Sequence, residues 1–412
     1  MRDWRLCRLC HVAALILVAL LSLSGCVEGS PFNPAPPVTV RFAPLGPAEA
    51  YAPMVESFQK KHRNVSIEFV GGGPRFRRDL SEVDVLPVSQ FMVPFLTEQE
   101  ALAELTPFIV EDSEFELDDF YPNAVAALQV EGQQWAIPYT GDVVVMYYNK
   151  DLFDAYGVAY PEPDWTWDMF LERARALSNP DAGQFGFAYH QMGIFSLLEP
   201  MLLIYQHGGQ LFDDLLEPTM MTLDDPRNIA PMEWYADLIY RHHVAPAPGE
   251  RLSPFPDAGI RGGQYAMWLG WLSDWRDWED LELGVAPVPR GPTFLTFGSI
   301  TGLGIAAETL APDESWDWLS YVTRYAPPEL LPLRTTLQPS EVLMGTTLPQ
   351  EALAAGQASL PYMVGLGFFG RGGELSSHWG TTMQALNGAL VAIQNGEPVG
   401  PALSAAQRKA GF

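Results

Sequence analysis

Two short alternating runs flanking a segment of helical period constrain this chain most. Val38-Thr39-Val40-Arg41-Phe42 alternates apolar and polar residues, a turn follows at Pro44 to Pro47, and Tyr51, Met54, Val55 and Phe58 then recur at helical spacing. Val65 to Val70 alternates again and ends at Gly71-Gly72-Gly73, and Asp84 to Val88 reads as a third strand. Strand, helix, strand at this spacing is a βαβ unit, so the expected class is α/β with a mostly parallel sheet. Farther along, Trp135 to Pro138 and Val143 to Tyr148 read as two strands split by Thr140-Gly141-Asp142. Thr166 is placed to cap a helix over Trp167 to Leu177. Helical patterns follow over Leu197 to His207, Pro231 to Arg241, Ser315 to Tyr325 and Trp379 to Gln394, with strand character at Leu283 to Val288 and Gly302 to Ala306.

The amino-terminal segment has a different logic. Arg2, Arg5 and Arg8 precede the apolar stretch His11 to Leu23, and small residues follow at Ser24 and Gly25, the layout of a secretory signal. The stretch is shorter than the ~20 apolar residues that a bilayer-spanning helix needs. Leu23-Ser24-Gly25-Cys26 resembles the lipobox of bacterial lipoproteins. That resemblance implies removal of residues 1–25 and a lipid on the sulfur of Cys26, and two or more acyl chains would hold where a single chain attaches only reversibly. Glu28 to Pro37, rich in Pro, Gly and Ser, reads as the end of a tether over residues 26–37. Of the 3 cysteines, Cys7 and Cys10 leave with the signal, so the remaining chain has no partner for a disulfide.

Composition narrows the chemistry. A net charge of −26 without a basic stripe argues against nucleic acid as a partner. With 48% hydrophobic and 18% charged residues, the body is globular and long enough for two or three domains. The 12 Trp point to a surface that uses indoles. Enzyme motifs fail on context: Gly365 to Gly370 has the glycine spacing of a dinucleotide loop but no βαβ unit, and Ser57 to Lys60 fits S-x-x-K without K-T-G. Tyr147-Tyr148 reads as strand, His242-His243 diverge on a helix, and Glu111 to Asp119 reads as a solvated acidic loop without calcium-loop spacing. No catalytic residue, metal or cofactor is expected.

The segments "VTVRFAPLGPAEAYAPMVESFQKKHRNVSIEFV", "VDVLPVSQ", "GQQWAIPYTGDVVVMYYNKDLFDAYGV", "GQYAMWLGWLSDW", "GVAPVPRGP" and "SITGLGIAAET" resemble, in order, signatures of the extracellular solute-binding proteins (family 1) of ABC importers, in the carbohydrate-binding group. The resemblance implies a two-lobed periplasmic-binding-protein-like fold (type II) with two mostly parallel sheets flanked by helices, a hinge, and ligand in the cleft between the lobes. One lobe is placed at 38–140 and 290–326, the other at 141–289 and 327–412, with crossings at Pro138 to Asp142 and Ala286 to Arg290. It also implies ligand contacts for Asp142 and for Trp268 or Trp271; Ser89 and Gln90 follow a strand end, where open α/β sheets bind ligands, the small Gly298 and Ser299 would let backbone amides approach one, and Tyr139, Phe368 and Arg371 are the further candidates for cleft walls.

Directional hydroxyls and apolar C–H faces make carboxylates and indoles suitable partners for a sugar. The expected function is therefore capture of a mono- or oligosaccharide and its delivery to permease subunits, by a non-enzymatic monomer lipid-anchored to the outer face of the cytoplasmic membrane. The alternatives are a polyol phosphate, polyamine or ferric ion on the same fold, or a lipid-anchored glycosidase.

Overall fold

The computed structural model describes residues 37–71, 80–190, 195–213, 220–250, 256–327, 331–338, 342–343, 346–365 and 374–410 of the 412. The opening βαβ unit forms as its pattern dictates. β1 (Val38–Phe42) and β2 (Val65–Phe69) pair in parallel with Val40 beside Ile67, and β3 (Val85–Ser89) joins the other edge of β1. The other strands of the sheet are β4 (Ile137–Asn149), β5 (Phe185–Ala188), β6 (Tyr265–Trp271), β7 (Leu283–Pro287), β8 (Thr296–Ile305), β9 (Leu331–Pro332) and β10 (Met363–Gly365). The helices that matter here are α1 (Ala52–Lys61), α2 (Lys150–Tyr156), α3 (Trp167–Ala176), α4 (Phe195–Gln206), α5 (Pro226–Tyr240), α6 (Pro312–Val322), α7 (Glu374–Gln394) and α8 (Val399–Ala410). No described helix is long and apolar enough to cross a membrane.

The sheet runs β2-β1-β3-β8-β4-β6-β5, with β7 and β9 also on β4 and β10 on β8. The parallel pairs at its two ends are therefore joined by an antiparallel seam. β4 is one continuous strand, where the sequence suggests two. Its first half pairs with β8 from Ile137 against Leu303 to Val143 against Gly298, and its second half pairs with β6 on one side and β7 on the other. Gly141 does not break it, because the glycine lets another segment come close: Leu331 of β9 pairs with it, and a Cβ there would lie 2.8 Å from the Leu333 side chain.

The second crossing also differs from expectation. Ala286 and Pro287 pair with Met146 and Val145, wholly within the second half of β4. The strand that spans both halves is β8, which starts at Thr296, well before Gly302. Thr296 Oγ1 donates to Val144 O at 2.8 Å at one end, and Ile305 lies opposite Val85 at the other. β5 was not anticipated. All four of its residues are buried, so the strand shows no apolar–polar alternation.

One hydrophobic cluster gathers Val40, Phe42, Tyr51, Phe58, Val85, Leu303 and Trp318, with the Trp318 ring edge-on to Phe42 at 5.5 Å. Another gathers Met146, Phe170, Phe187, Leu202 and Met267 with Leu386 and Leu403 from α7 and α8. A third, including Val88, Val143, Tyr147, Trp268 and Leu333, runs between them along the seam. Local signals account for the Asn149-Lys150-Asp151-Leu152-Phe153 block. Asn149 Oδ1 accepts from Leu152 N at 3.1 Å to start α2, and Gly157, at φ 64°, ends it in the left-handed conformation.

The acidic loop is not wholly solvated. Asp119 is half-buried and takes Arg334 Nη1 at 2.9 Å together with the hydroxyls of Thr335 and Thr336, while the guanidinium lies 4.4 Å from the Phe120 ring centroid. Burial alone would raise this carboxyl, but hydrogen bonds from Thr336, Arg334 and Thr335 hold it below its ordinary pKa.

α3 presses directly on β5 at Gly186, where a Cβ would sit 2.2 Å from the carbonyl oxygen of Ala174. Backbone cannot yield there as a side chain could. Gly186→Ala is expected to cost about 2–3 kcal/mol in urea unfolding, and a cost under about 0.5 kcal/mol would show that the contact is slack.

Candidate functional site

Open α/β sheets bind ligands beyond the carboxyl ends of their strands. In this sheet β1 and β3 end at Phe42 and Ser89, β5 and β6 end at Ala188 and Trp271, and β4 and β8 run between the two sets. Alternation along β8 buries Gly298, Ile300 and Gly302 but leaves Ser299 and Thr301 partly exposed. Asp142 is opposite Ser299, and Thr301 has Thr140 on one side and Ser89 on the other. Ser89, Thr301, Thr140, Ser299 and Asp142 thus share one face of the sheet.

Asp142 is only 8% exposed. Its Oδ1 accepts from Val143 N at 2.9 Å and Ser273 N at 3.2 Å, and its Oδ2 accepts from Ser273 Oγ at 2.5 Å. Burial pushes the carboxyl up to about 7, opposed by the Ser273 hydroxyl and reinforced by the nearby Asp274 charge. Asp274 is pushed up to about 6, again mainly by burial, and its Oδ2 accepts from Trp271 N at 2.8 Å. The two carboxyls therefore both hold the turn over residues 271–274.

The turn decides which indole is available. Trp268 is 2% exposed, stacked on Tyr147 at 5.8 Å and edge-on to Trp278 at 5.9 Å. Trp271 is partly exposed, with its ring 5.7 Å from Phe195, whose other neighbour is the His190 ring at 5.1 Å. Trp275 stacks on Tyr147 and Trp278 is buried, so both pack.

Other expected positions are used by the fold itself. Gln90 is 1% exposed and stitches its loop to β8: its amide oxygen accepts from Ile300 N at 3.0 Å, its Nε2 donates to Gly298 O at 3.4 Å, and its own N–H donates to Ile300 O at 2.9 Å. Gly298 is small because Met363 fills the space a Cβ would need, at 2.1 Å. Tyr139 lies in the first core beside Tyr51, and burial lifts its phenol well above the ordinary range, so it walls no cleft. Tyr147 donates to the carbonyls of Trp271 and Leu272 at 2.8 and 3.0 Å. Ser89 is partly exposed, and its hydroxyl accepts a long bond from Phe91 N, at 3.4 Å. Phe368, Arg371 and Cys26 lie outside the described residues.

Sequence reasoning missed Ser273, Asp274, Phe195 and the pair His190–Glu199. Ser273 and Asp274 follow the exposed indole directly in Trp271-Leu272-Ser273-Asp274, and His190 follows the end of β5, the strand that had escaped notice. No group of three or more His, Cys, Asp or Glu among the described residues could hold a metal ion. A surface groove of about 390 Å³ lies elsewhere, near the start of β2, lined by His62, Phe108, Asp112, Trp316, Asp317 and Tyr321. It is remote from Asp142.

The raised carboxyl sets a pH dependence. The unfolded chain ionises Asp142 near 3.8 while the folded chain keeps its proton until about 7, so wild-type stability should fall progressively as pH rises through that window. Asp142→Asn keeps an acceptor for both amides and removes the charge. Unfolding compared at pH 5 and pH 8 should show a smaller loss for the variant, by on the order of 2–4 kcal/mol, and parallel curves would refute the assignment.

Residues 43–326 match the family model of the bacterial extracellular solute-binding proteins. The mannitol-binding protein of Pseudomonas aeruginosa is 33% identical over 171 residues, 40% of this chain and 37% of that relative. The arabinooligosaccharide-binding protein of Halalkalibacterium halodurans is 25% identical over 190 residues, 46% of this chain and 38% of that relative. Each match spans less than half of the relative's own length. Among solved structures, a cyclo/maltodextrin-binding protein complexed with maltotetraose superposes with a TM-score of 0.71 at 16% identity, covering 91% of this chain and 96% of that one, so the two share the two-lobed α/β fold. On the family match, which takes in most of its length, the chain belongs to the bacterial extracellular solute-binding proteins.

Proposed function

We propose that this chain is the substrate-binding lipoprotein of an ABC importer, a monomer that captures a mono- or oligosaccharide between its lobes and presents it to the permease. The carrying observation is Trp271, a partly exposed indole at the carboxyl end of β6, in the same sheet as Asp142 and Ser299 of the crossing strands and Ser89 at the end of β3. An indole offers the apolar plate that a sugar's C–H face needs, and the carboxyl and hydroxyl groups offer directional partners for its hydroxyls. Named relatives that bind mannitol and arabinooligosaccharide support the ligand class. Residues 38–140 with 290–326 and the returning segment 331–336, and 141–289 with the rest of 327–412, act as the two lobes. A ligand favours the closed form only as far as it touches both, and Ser89 and Trp271 stand on opposite sides of the seam. Cleavage before Cys26 and lipidation of its sulfur would hold the protein on the outer face of the membrane near its permease.

The test is a thermal-shift screen of D-mannitol, arabinotriose, maltotriose and maltotetraose alongside spermidine, glycerol 3-phosphate and ferric citrate, followed by calorimetry. A sugar should bind with a Kd near micromolar, about −8 kcal/mol, and be recovered intact after long incubation. Binding of spermidine, the phosphate or ferric ion in place of every sugar would overturn the ligand class, and hydrolysis products would overturn the non-enzymatic reading. Trp271→Ala should weaken sugar binding by about tenfold or more, ~1.4 kcal/mol, while the already packed Trp268 should affect mainly stability when cut to Phe.

A further inference from the structure

Helix α4 is apolar along almost its whole length, yet it carries Glu199 at 2% exposure among Leu198, Met201 and Leu202. A carboxylate in such a place is costly unless its lone pairs are filled. They are filled from three directions: His190 N donates at 3.1 Å, His190 Nδ1 is 2.6 Å away, and Tyr235 Oη donates at 2.9 Å. An acceptor-only carboxylate assigns the proton of the imidazole to Nδ1. No described residue hydrogen-bonds the other ring nitrogen, Nε2.

His190 lies two residues past the end of β5, and its side chain is 13% exposed. The register of β5 on β6, with Ala188 beside Trp268, carries His190 to the level of Gly270, next to Trp271. Phe195 bridges the two rings, 5.1 Å from His190 and 5.7 Å from Trp271, and His190 is close enough for its charge to oppose the rise of the Asp274 carboxyl. Glu199, itself held by Tyr235, thus fixes one imidazole against Phe195, whose ring also meets the exposed indole.

We infer that His190 is a specificity-determining residue of the ligand site, its Nε2 hydrogen-bonding one hydroxyl of the sugar that stacks on Trp271, with Glu199 and Tyr235 as positioning residues. This rests on the sugar-binding reading above. A hydroxyl suits the position because it both donates and accepts, so it can meet Nε2 whether or not that nitrogen carries a proton. An ammonium ligand has no acceptor to offer an imidazolium.

The experiment is a thermodynamic cycle between protein and ligand. Calorimetry would measure wild type, His190→Ala, His190→Gln and Glu199→Gln against whichever panel sugar binds, and against its monodeoxy analogues. In wild type one deoxy position should lose about tenfold in affinity through the ring, and in His190→Ala that same loss should shrink to within about twofold while the other positions keep theirs. His190→Gln, with an amide that reaches as far as Nε2, should restore much of the discrimination, and Glu199→Gln should show a partial loss at the same hydroxyl alone. If every deoxy penalty survives in His190→Ala, the assignment is wrong although sugar binding stands. If no panel sugar binds wild type, the sugar reading itself fails and takes this assignment with it. Should His190→Ala fail to fold, His190→Asn, too short to reach the hydroxyl, replaces it with the same expected outcome.

Discussion

One ladder of backbone hydrogen bonds holds the molecule together, the one along β4. Residues Ile137 to Tyr148 are all buried, so the strand is covered on both faces as well as both edges, and none of its backbone groups has water as an alternative partner. β8 follows the first half, while β6 and β7 follow the second. The two bodies that flank it are therefore coupled through adjacent, fully bonded strands. The pairing is irregular at one place, the shift in register between Thr301 and Gly302, next to the row of polar side chains.

The parts of this arrangement that local chemistry decides were legible in the sequence. β1, α1, β2 and β3 declare themselves by period, and α3 by its Thr166 cap. What escaped is what distant residues decide. Gly141 and Asp142 look like a break in a strand, but Leu333 packs over the glycine and Ser273 satisfies the carboxylate, so the strand continues. Burial removed the alternation that would have revealed β5. Glycines and serines in Thr296 to Gly302 disguised β8 as a loop.

The site shows the same division. Strand periodicity could not say which residue of a neighbouring pair faces the ligand side, because a shift of one residue exchanges the faces. Trp268 and Trp271 are three apart on one strand and so point to opposite faces. Only the register with Tyr147 shows that the first is packed and the second available. Ser89 and Gln90 divide likewise, one partly exposed and one committed to Ile300 and Gly298. Ser273, Asp274 and Glu199 became visible only once the fold brought them to Asp142, Trp271 and His190. A carboxylate's role depends on its donors, and those come from elsewhere in the chain.

The return of residues 331–336 to the first body also bears on how the chain is made. Leu333 O accepts from Tyr121 N at 3.1 Å, Thr335 N donates to Asp119 O at 2.7 Å, and Arg334 pairs with Asp119. A polypeptide emerging from the ribosome thus exposes residues 38–140 long before residues 331–336, their last partners, exist, so the packing of that body is completed only when most of the chain has been made.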